Sequence, residues 1–155
     1  MKIPINIQIE SERIYSNLGQ NAGYVPEPET SSVNITGFMK KTKQGLQVEY
    51  KENEDSGMGD TVTTISTLGD RVVSVNRVGA LNSHMVFEQG KCHTCIYDTG
   101  FFPMQLRVCT KELVNNLSLQ GGKLNIDYSV EIVGNLAEKN KLTVSVYPDK
   151  SIIIS

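Results

Sequence analysis

The chain has 155 residues, 39% of them hydrophobic, and its 15 basic and 17 acidic side chains leave a net charge of −2. This length suits a single domain, 1–155, with its own core, and the composition argues against global disorder. The small negative net charge gives no sign of a basic surface for nucleic acid. No apolar run reaches the roughly 20 residues that cross a bilayer. We therefore expect neither nucleic acid nor a membrane as a partner.

Most of the chain alternates between apolar and polar residues, which is the period of a β-strand with one buried face. A first strand starts at Ile3 and runs towards Tyr15, and its alternation is unlike the continuous apolar stretch of a signal peptide. A polar segment with glycines and prolines, 17–30, predicts a long loop. Gly37 interrupts the next strand and indicates a bulge or a close approach. The further strands are predicted over 33–39, 46–50, 61–68, 72–78, 81–87, 92–99, 104–110, 124–132 and 142–146.

Turn residues separate these strands at short intervals, as Gly69-Asp70 does between a threonine-rich and a valine-rich segment. The segment 111–119 fits either a continued strand or one helical turn, and the chain ends in an apolar tail, 148–155. Because no helical pattern of 10–15 residues lies between the strands, βαβ units are excluded. We therefore predict an all-β fold, an antiparallel up-and-down β-barrel of about 8–10 strands.

The cysteines are only weak evidence for a metal-binding site. An odd number of them, Cys92, Cys95 and Cys109, argues against a closed disulfide framework and favours a reducing cytoplasm. Cys92 and Cys95 have the spacing of a zinc knuckle, with Cys109 and His84 as further possible ligands. In a strand, however, these two cysteines point to opposite faces about 10 Å apart. We predict ordinary half-buried cysteines, no metal site and no cofactor, and histidines (His84, His93) that are exposed or hydrogen-bonded.

Several short motifs follow one another in the order seen in a known family. They are RVG at 77–79, MVFEQG at 85–90, YDT at 97–99, LRVCT at 106–110, GKLNIDY at 122–128 and NKL at 140–142. In this order the chain resembles the YwiB-like family of small uncharacterised bacterial proteins over nearly its whole length. The resemblance implies a calycin-type, lipocalin-like β-barrel in a bacterial cytoplasm. Because that family has no established activity, the resemblance implies architecture and little chemistry.

A barrel of this size either fills with side chains or encloses one small ligand. We predict that it binds a small, largely apolar molecule. Arg77 follows Val73 and Val75 on the inward face, so it is the candidate anchor for a ligand carboxylate. The alternatives are an arginine that caps one barrel end by pairing with a carboxylate or strand-end carbonyls, and one that faces solvent. The candidate ligand-binding residues are Tyr50, Arg77, Met85, Phe87, Tyr97, Thr110 and Tyr128.

No catalytic residue is predicted, because the chain lacks a nucleophile elbow, a zinc-protease helix motif, a phosphate loop and a dinucleotide fingerprint. Glu52 and Glu54, in an acidic turn, are interpreted as solvated carboxylates. The alternative function is a non-catalytic protein-interaction module with a filled barrel, acting through a sheet edge or the C-terminal tail. Its three isoleucines, Ile152 to Ile154, are expected either to pack on their own barrel or to join two copies in a homodimer.

Overall fold

A computed structural model describes residues 2–15, 27–52, 60–98, 103–132 and 135–149. These residues form ten antiparallel strands in a closed barrel, in which each strand pairs with its neighbours in sequence and β1 also pairs with β10. The strands are β1 (Ile3–Tyr15), β2 (Glu29–Lys41), β3 (Leu46–Lys51), β4 (Val62–Leu68), β5 (Val72–Val78), β6 (Asn82–Glu88), β7 (Cys92–Asp98), β8 (Pro103–Asn115), β9 (Gly122–Ile132) and β10 (Asn135–Pro148). The predicted up-and-down barrel is confirmed.

Some predicted boundaries need correction. The strand β2 begins at Glu29, because Glu29 and Thr30 pair with Arg13 and Glu12 of β1, so the predicted loop 17–30 ended too late. Likewise Pro148, assigned to the tail, is the last residue of β10. The segment 111–119 continues β8 as a strand to residue 115. Residues 150–155 of the predicted tail and residues 17–26 of the predicted loop lie outside the described residues.

Closure of the barrel bears on the predicted interaction surfaces. Every described strand has a paired neighbour on both sides, so no whole strand presents a free edge. The predicted interaction through a sheet edge stays a prediction, and within the described residues it is limited to strand segments that lack a neighbour, as at the start of β7. Within the described part of the chain there is no helix that is long and apolar enough to cross a membrane.

The apolar residues of the alternating pattern meet in one core inside the barrel. Burial of these side chains is the main contribution to stability, at roughly 25 cal/mol per Å² of apolar surface. The largest fully buried side chains include Ile5, Ile7, Met39, Val48, Val73, Phe87, Val108, Leu124, Ile126, Val144 and Val146. Further inward residues named from the pattern, Val75 and Leu106, are buried as well.

Gly37 permits the close approach that its position in a strand indicated. It lies directly between Ile5 of β1 and Tyr50 of β3. A Cβ atom at this position would come within 2.3 Å of the Glu49 carbonyl oxygen and 3.0 Å of Tyr50 Cβ. The pairing of β2 with β1 and β3 runs without a register shift, so the glycine serves packing rather than a bulge.

The two ends of the barrel differ in character. We call the upper end the one at which β1, β3, β5, β7 and β9 finish. Inward side chains near the lower end are mostly apolar, as with Met39, Val73 and Leu124, and the buried Thr67 there accepts a hydrogen bond from the Leu46 N–H. Near the upper end the buried side chains include the polar Thr63 and Asn140. This asymmetry places the candidate site at the upper end.

Candidate functional site

Five inward side chains from consecutive strands form one row across β3 to β7. In this row, here called the polar row, each residue lies directly opposite the next in the sheet register. Side chains at directly paired positions point to the same face, with Cβ atoms about 5 Å apart. The row therefore brings together side chains that are far apart in sequence. Its members are Tyr50, Thr63, Arg77, Ser83 and Tyr97.

Arg77 has an ionic partner, but its Nε atom has no hydrogen-bond partner among the described residues. Its Nε atom lies 3.9 Å from Oε1 of Glu52, and their side chains are only 23% and 9% exposed. The same carboxylate oxygen accepts a hydrogen bond of 2.7 Å from the Thr63 hydroxyl. Within the described residues, Arg77 Nε is buried without a hydrogen-bond partner. The guanidinium thus keeps donor capacity at the upper end of the lumen.

Among the described residues, two further buried polar atoms have no hydrogen-bond partner. They are the hydroxyl oxygens of Ser83 and Thr110. Ser83 is the neighbour of Arg77 in the polar row, and Thr110 lies on β8 opposite Tyr128. Because buried polar groups in folded proteins nearly always have partners, these inward-facing atoms mark a place for a ligand or for water.

Two of the inward tyrosines, Tyr50 and Tyr128, remain protonated at neutral pH. Burial, followed by the nearby Glu52 carboxylate, raises the pKa of Tyr50 to about 12, although Arg77 acts in the opposite direction. Burial also raises the pKa of Tyr128, with a further contribution from Glu138. Both hydroxyls are therefore neutral groups that can donate a hydrogen bond.

The remaining predicted residues extend the site downwards. Met85 is buried opposite Val75, and the buried Phe87 contacts the Tyr128 ring edge-on, with ring centroids 4.7 Å apart. Tyr97 packs against the same core. The structure thus brings Tyr50, Arg77 and Tyr97 into the polar row, pairs Thr110 with Tyr128, and places Met85 and Phe87 below the row.

Glu52 corrects the interpretation of the acidic turn. Its side chain is 9% exposed and bound to Thr63, so it is not a solvated carboxylate. The alternation of β3 contained the signal, because Glu52 continues the inward phase of Val48 and Tyr50. Glu54 lies outside the described residues.

The cysteine prediction is wrong in one respect. Cys92 and Cys109 lie directly opposite each other on β7 and β8 and form a disulfide, whereas Cys95 is a buried free thiol. The odd count excluded complete pairing but not a single bridge. Pairing the predicted strands 92–99 and 104–110 symmetrically about their intervening break places 92 opposite 111, two residues away from its actual partner Cys109. Cys92 is exposed and Cys95 buried, as expected for opposite faces of a strand.

Each histidine has its own partner. His84 is exposed and hydrogen-bonds to Asn76, while Nε2 of the half-buried His93 lies 2.9 Å from Oε1 of Glu88. The His93 and Lys91 side chains hold the pKa of Glu88 below its usual value. The described residues contain no group of three or more side chains arranged to hold a metal ion.

Comparisons with known proteins agree with the architecture. Residues 16–144 match the family described as Domain of unknown function (DUF1934). The uncharacterized beta-barrel protein YwiB of Bacillus subtilis strain 168 is 23% identical over 117 residues, covering 76% of this chain and 80% of YwiB. The crystal structure of the ywiB protein matches with a TM-score of 0.78 at 20% identity, over 96% of this chain and 93% of that one. The resemblance noted in the sequence is confirmed, and the chain belongs to the DUF1934 family.

Proposed function

We propose that the barrel binds a small molecule with an apolar body and a head group rich in acceptor oxygens, such as a carboxylate. Arg77 holds the head group, and the polar row surrounds it. The observation that carries this proposal is the Nε atom of the largely buried Arg77 guanidinium, which has no hydrogen-bond partner in the described part of the chain. A buried donor without an acceptor costs about 1–3 kcal/mol, which an acceptor on the ligand would recover.

The neighbours of Arg77 suit such a head group. Glu52 favours the charged guanidinium, but at 3.9 Å its oxygen does not occupy the Nε donor. Ser83, next in the row, offers a buried hydroxyl with no partner among the described residues. Tyr50 stays protonated because of its raised pKa, and its hydroxyl is hydrogen-bonded with Thr63 and Glu52, so it positions the Glu52 carboxylate beside the head group. These groups bind an acceptor by charge-assisted and neutral hydrogen bonds together.

The lumen below the row suits an apolar body. Met85 and Phe87 line it, and a methionine adapts its shape to a ligand more easily than a branched side chain does. Sites for small molecules are mostly apolar with a few fixed polar groups. We propose binding without catalysis, since the polar row consists of hydroxyls, phenols and a guanidinium.

Isothermal titration calorimetry with octanoate and with octanol tests the proposal. Both probes share an apolar chain, and only octanoate carries the carboxylate. We expect Arg77→Met, which keeps an apolar stem, to weaken octanoate binding about tenfold to a hundredfold because a charge-assisted pair is lost. The affinity for octanol should change less than about twofold, because octanol has no carboxylate to pair with Arg77 and the loss of a weak contact has only a small effect.

Arg107→Met is the matched control, because Arg107 is exposed and its Nη1 lies 3.4 Å from Glu131 on the surface. It should bind both probes as the wild type does. Equal octanoate affinity in Arg77→Met and wild type, or no binding of either probe to the wild type, would contradict the proposal.

The second candidate is the interaction module with a filled barrel. The close contact of Phe87 with Tyr128 in the core favours it, and the grooves between described residues, such as one of about 350 Å³ lined by Glu12 and Lys139, lie on the outer face. In this case the wild type binds neither probe. Deletion of 149–155 then tests the predicted homodimer, which should become monomeric by analytical ultracentrifugation. An unchanged mass would remove the tail as a dimer contact.

A further inference from the structure

The disulfide between Cys92 and Cys109 lies on the outer face of the barrel. We infer that this bond is a thiol–disulfide exchange site whose reaction partner is a small anionic thiol. The two Cα atoms are 4.0 Å apart, and the adjacent Thr110 N–H donates to the Lys91 carbonyl. The cysteines therefore occupy a non-hydrogen-bonded pair, the position at which opposing side chains approach most closely.

Access separates this pair from the third cysteine. Cys92 is exposed, and Cys109 is half-buried and lines an outer groove of about 350 Å³. Cys95 is 3% exposed, and its thiol lies 3.8 Å from the His93 carbonyl oxygen. Because exchange requires that a thiolate reach the sulfur atom, the outer pair can react while Cys95 stays protected.

The charge of the groove selects the incoming thiol. Lys139 is opposite Ser129, which is itself opposite Cys109, so Lys139 lies two strands from the disulfide, roughly 10 Å away. Lys111 lines the same groove. Lysines attract an anionic thiol and favour the thiolate state of a reduced cysteine.

A third lysine of the groove, Lys141, lies directly between Glu12 and Asp127, whose two negative charges exceed its own by one, so the three lysines and two carboxylates of the groove have a net charge of +1. The excess of positive charge therefore comes from Lys111 and Lys139.

The reaction conserves atoms and electrons. The incoming thiolate forms a bond to Cys109 Sγ as the Cys92–Cys109 bond breaks, and Cys92 leaves as a thiolate that takes a proton from water. A second thiolate attacks the small-molecule sulfur of this mixed disulfide and releases Cys109. Two small thiols are oxidised to their disulfide, and the protein bridge is reduced to two thiols.

The test uses the full-length protein purified without reductant and kept under native conditions. Glutathione is the anionic probe and 2-mercaptoethanol the neutral one. The rate of opening is followed by alkylation and peptide mass spectrometry. We expect labelling of Cys92 and Cys109 without labelling of Cys95, a transient glutathione adduct on Cys109, and an unchanged circular dichroism spectrum.

A double variant, Lys111→Gln with Lys139→Gln, isolates the contribution of charge. Reaction with glutathione should slow about two- to fivefold at low salt, and this difference should vanish at about 0.5 M salt. Reaction with 2-mercaptoethanol should not change. Lys43→Gln, in an exposed turn far from the groove, is the control and should react like the wild type.

Three results would overturn the inference. They are free Cys92 and Cys109 thiols in the protein purified without reductant, a bridge that opens only in denaturant, and equal glutathione rates in the double variant and the wild type.

Discussion

Arg77 is the charged residue of the polar row, and its neighbours across the sheet decide what it can bind. The alternation Val73, Val75, Arg77 places its side chain on the inner face, and the structure agrees. The same alternation, continued one step beyond Tyr50, places Glu52 on the inner face as well. What alternation does not give is which residues stand next to Arg77 across the sheet, because neighbours depend on strand register. Glu52 and Ser83 were therefore missed.

Tyr50 makes the free energy of unfolding depend on pH in the alkaline range. Its pKa is about 12 in the folded barrel, against an ordinary value of 10, so the unfolded chain loses the proton first as the pH rises. The contribution of the protonated Tyr50 to the free energy of unfolding is fully present below pH 10. It is lost as the pH rises from 10 to 12. We expect the difference in unfolding free energy between wild type and Tyr50→Phe to fall by about 2–3 kcal/mol over this range, measured by urea denaturation.

Tyr147→Phe, at an exposed tyrosine on the outer face, is the control for this measurement and should follow the wild type. A constant difference between wild type and Tyr50→Phe from pH 9 to 12 would show that Tyr50 does not titrate as described.

Gly37 is required by crowding and not by backbone conformation. The Gly37→Ala variant should lose about 1–3 kcal/mol, since its methyl group overlaps the Glu49 carbonyl oxygen and presses on Tyr50. Gly69→Ala is the comparison, because the space there is open while φ is +71°, and it should lose about 1 kcal/mol through backbone strain. Denaturant titration measures both. A Gly37→Ala variant as stable as the wild type would rule out the close approach.

At the scale of elements, β7 is held unequally by its two neighbours. Its pairing with β6 covers only Asn82 to His84, whereas its pairing with β8 runs along the whole strand. The disulfide joins β7 to β8 at Cys92, at the end of β7 that lacks pairing with β6. The bridge therefore secures the part of the strand that the sheet holds least.

The double variant Cys92→Ser with Cys109→Ser should be less stable than the oxidised wild type by about 3 kcal/mol, the loop-entropy value for a bridge that spans 17 residues. Guanidinium denaturation measures the difference. Addition of a reductant should lower the denaturation midpoint of the wild type to that of the double variant. The midpoint of the variant should not change. Equal midpoints for the variant and the oxidised wild type would contradict this account of β7.

For the whole molecule, the strand period and the short turns were enough to predict a closed up-and-down barrel. The sequence pattern determines which side chains face inward, because one face of every strand must leave water. Strand register is set by how the strands pair in the folded barrel. Register places Thr63 and Ser83 on either side of Arg77, and it places Cys92 opposite Cys109. This is why the lumen residues could be named from the sequence and the disulfide could not.

Methyl NMR of the isoleucines during titration with octanoate tests the central claim, that a small molecule occupies the lumen below Arg77. Ile7, Ile65 and Ile126 are buried inside the barrel, and Ile96 is 55% exposed on the outside. We predict that the signals of the buried isoleucines shift and saturate while Ile96 stays in place, and that Arg77→Met moves this saturation to octanoate concentrations about tenfold to a hundredfold higher. Shifts confined to Ile96 and other outer residues, or no saturable shift at all, would contradict the account.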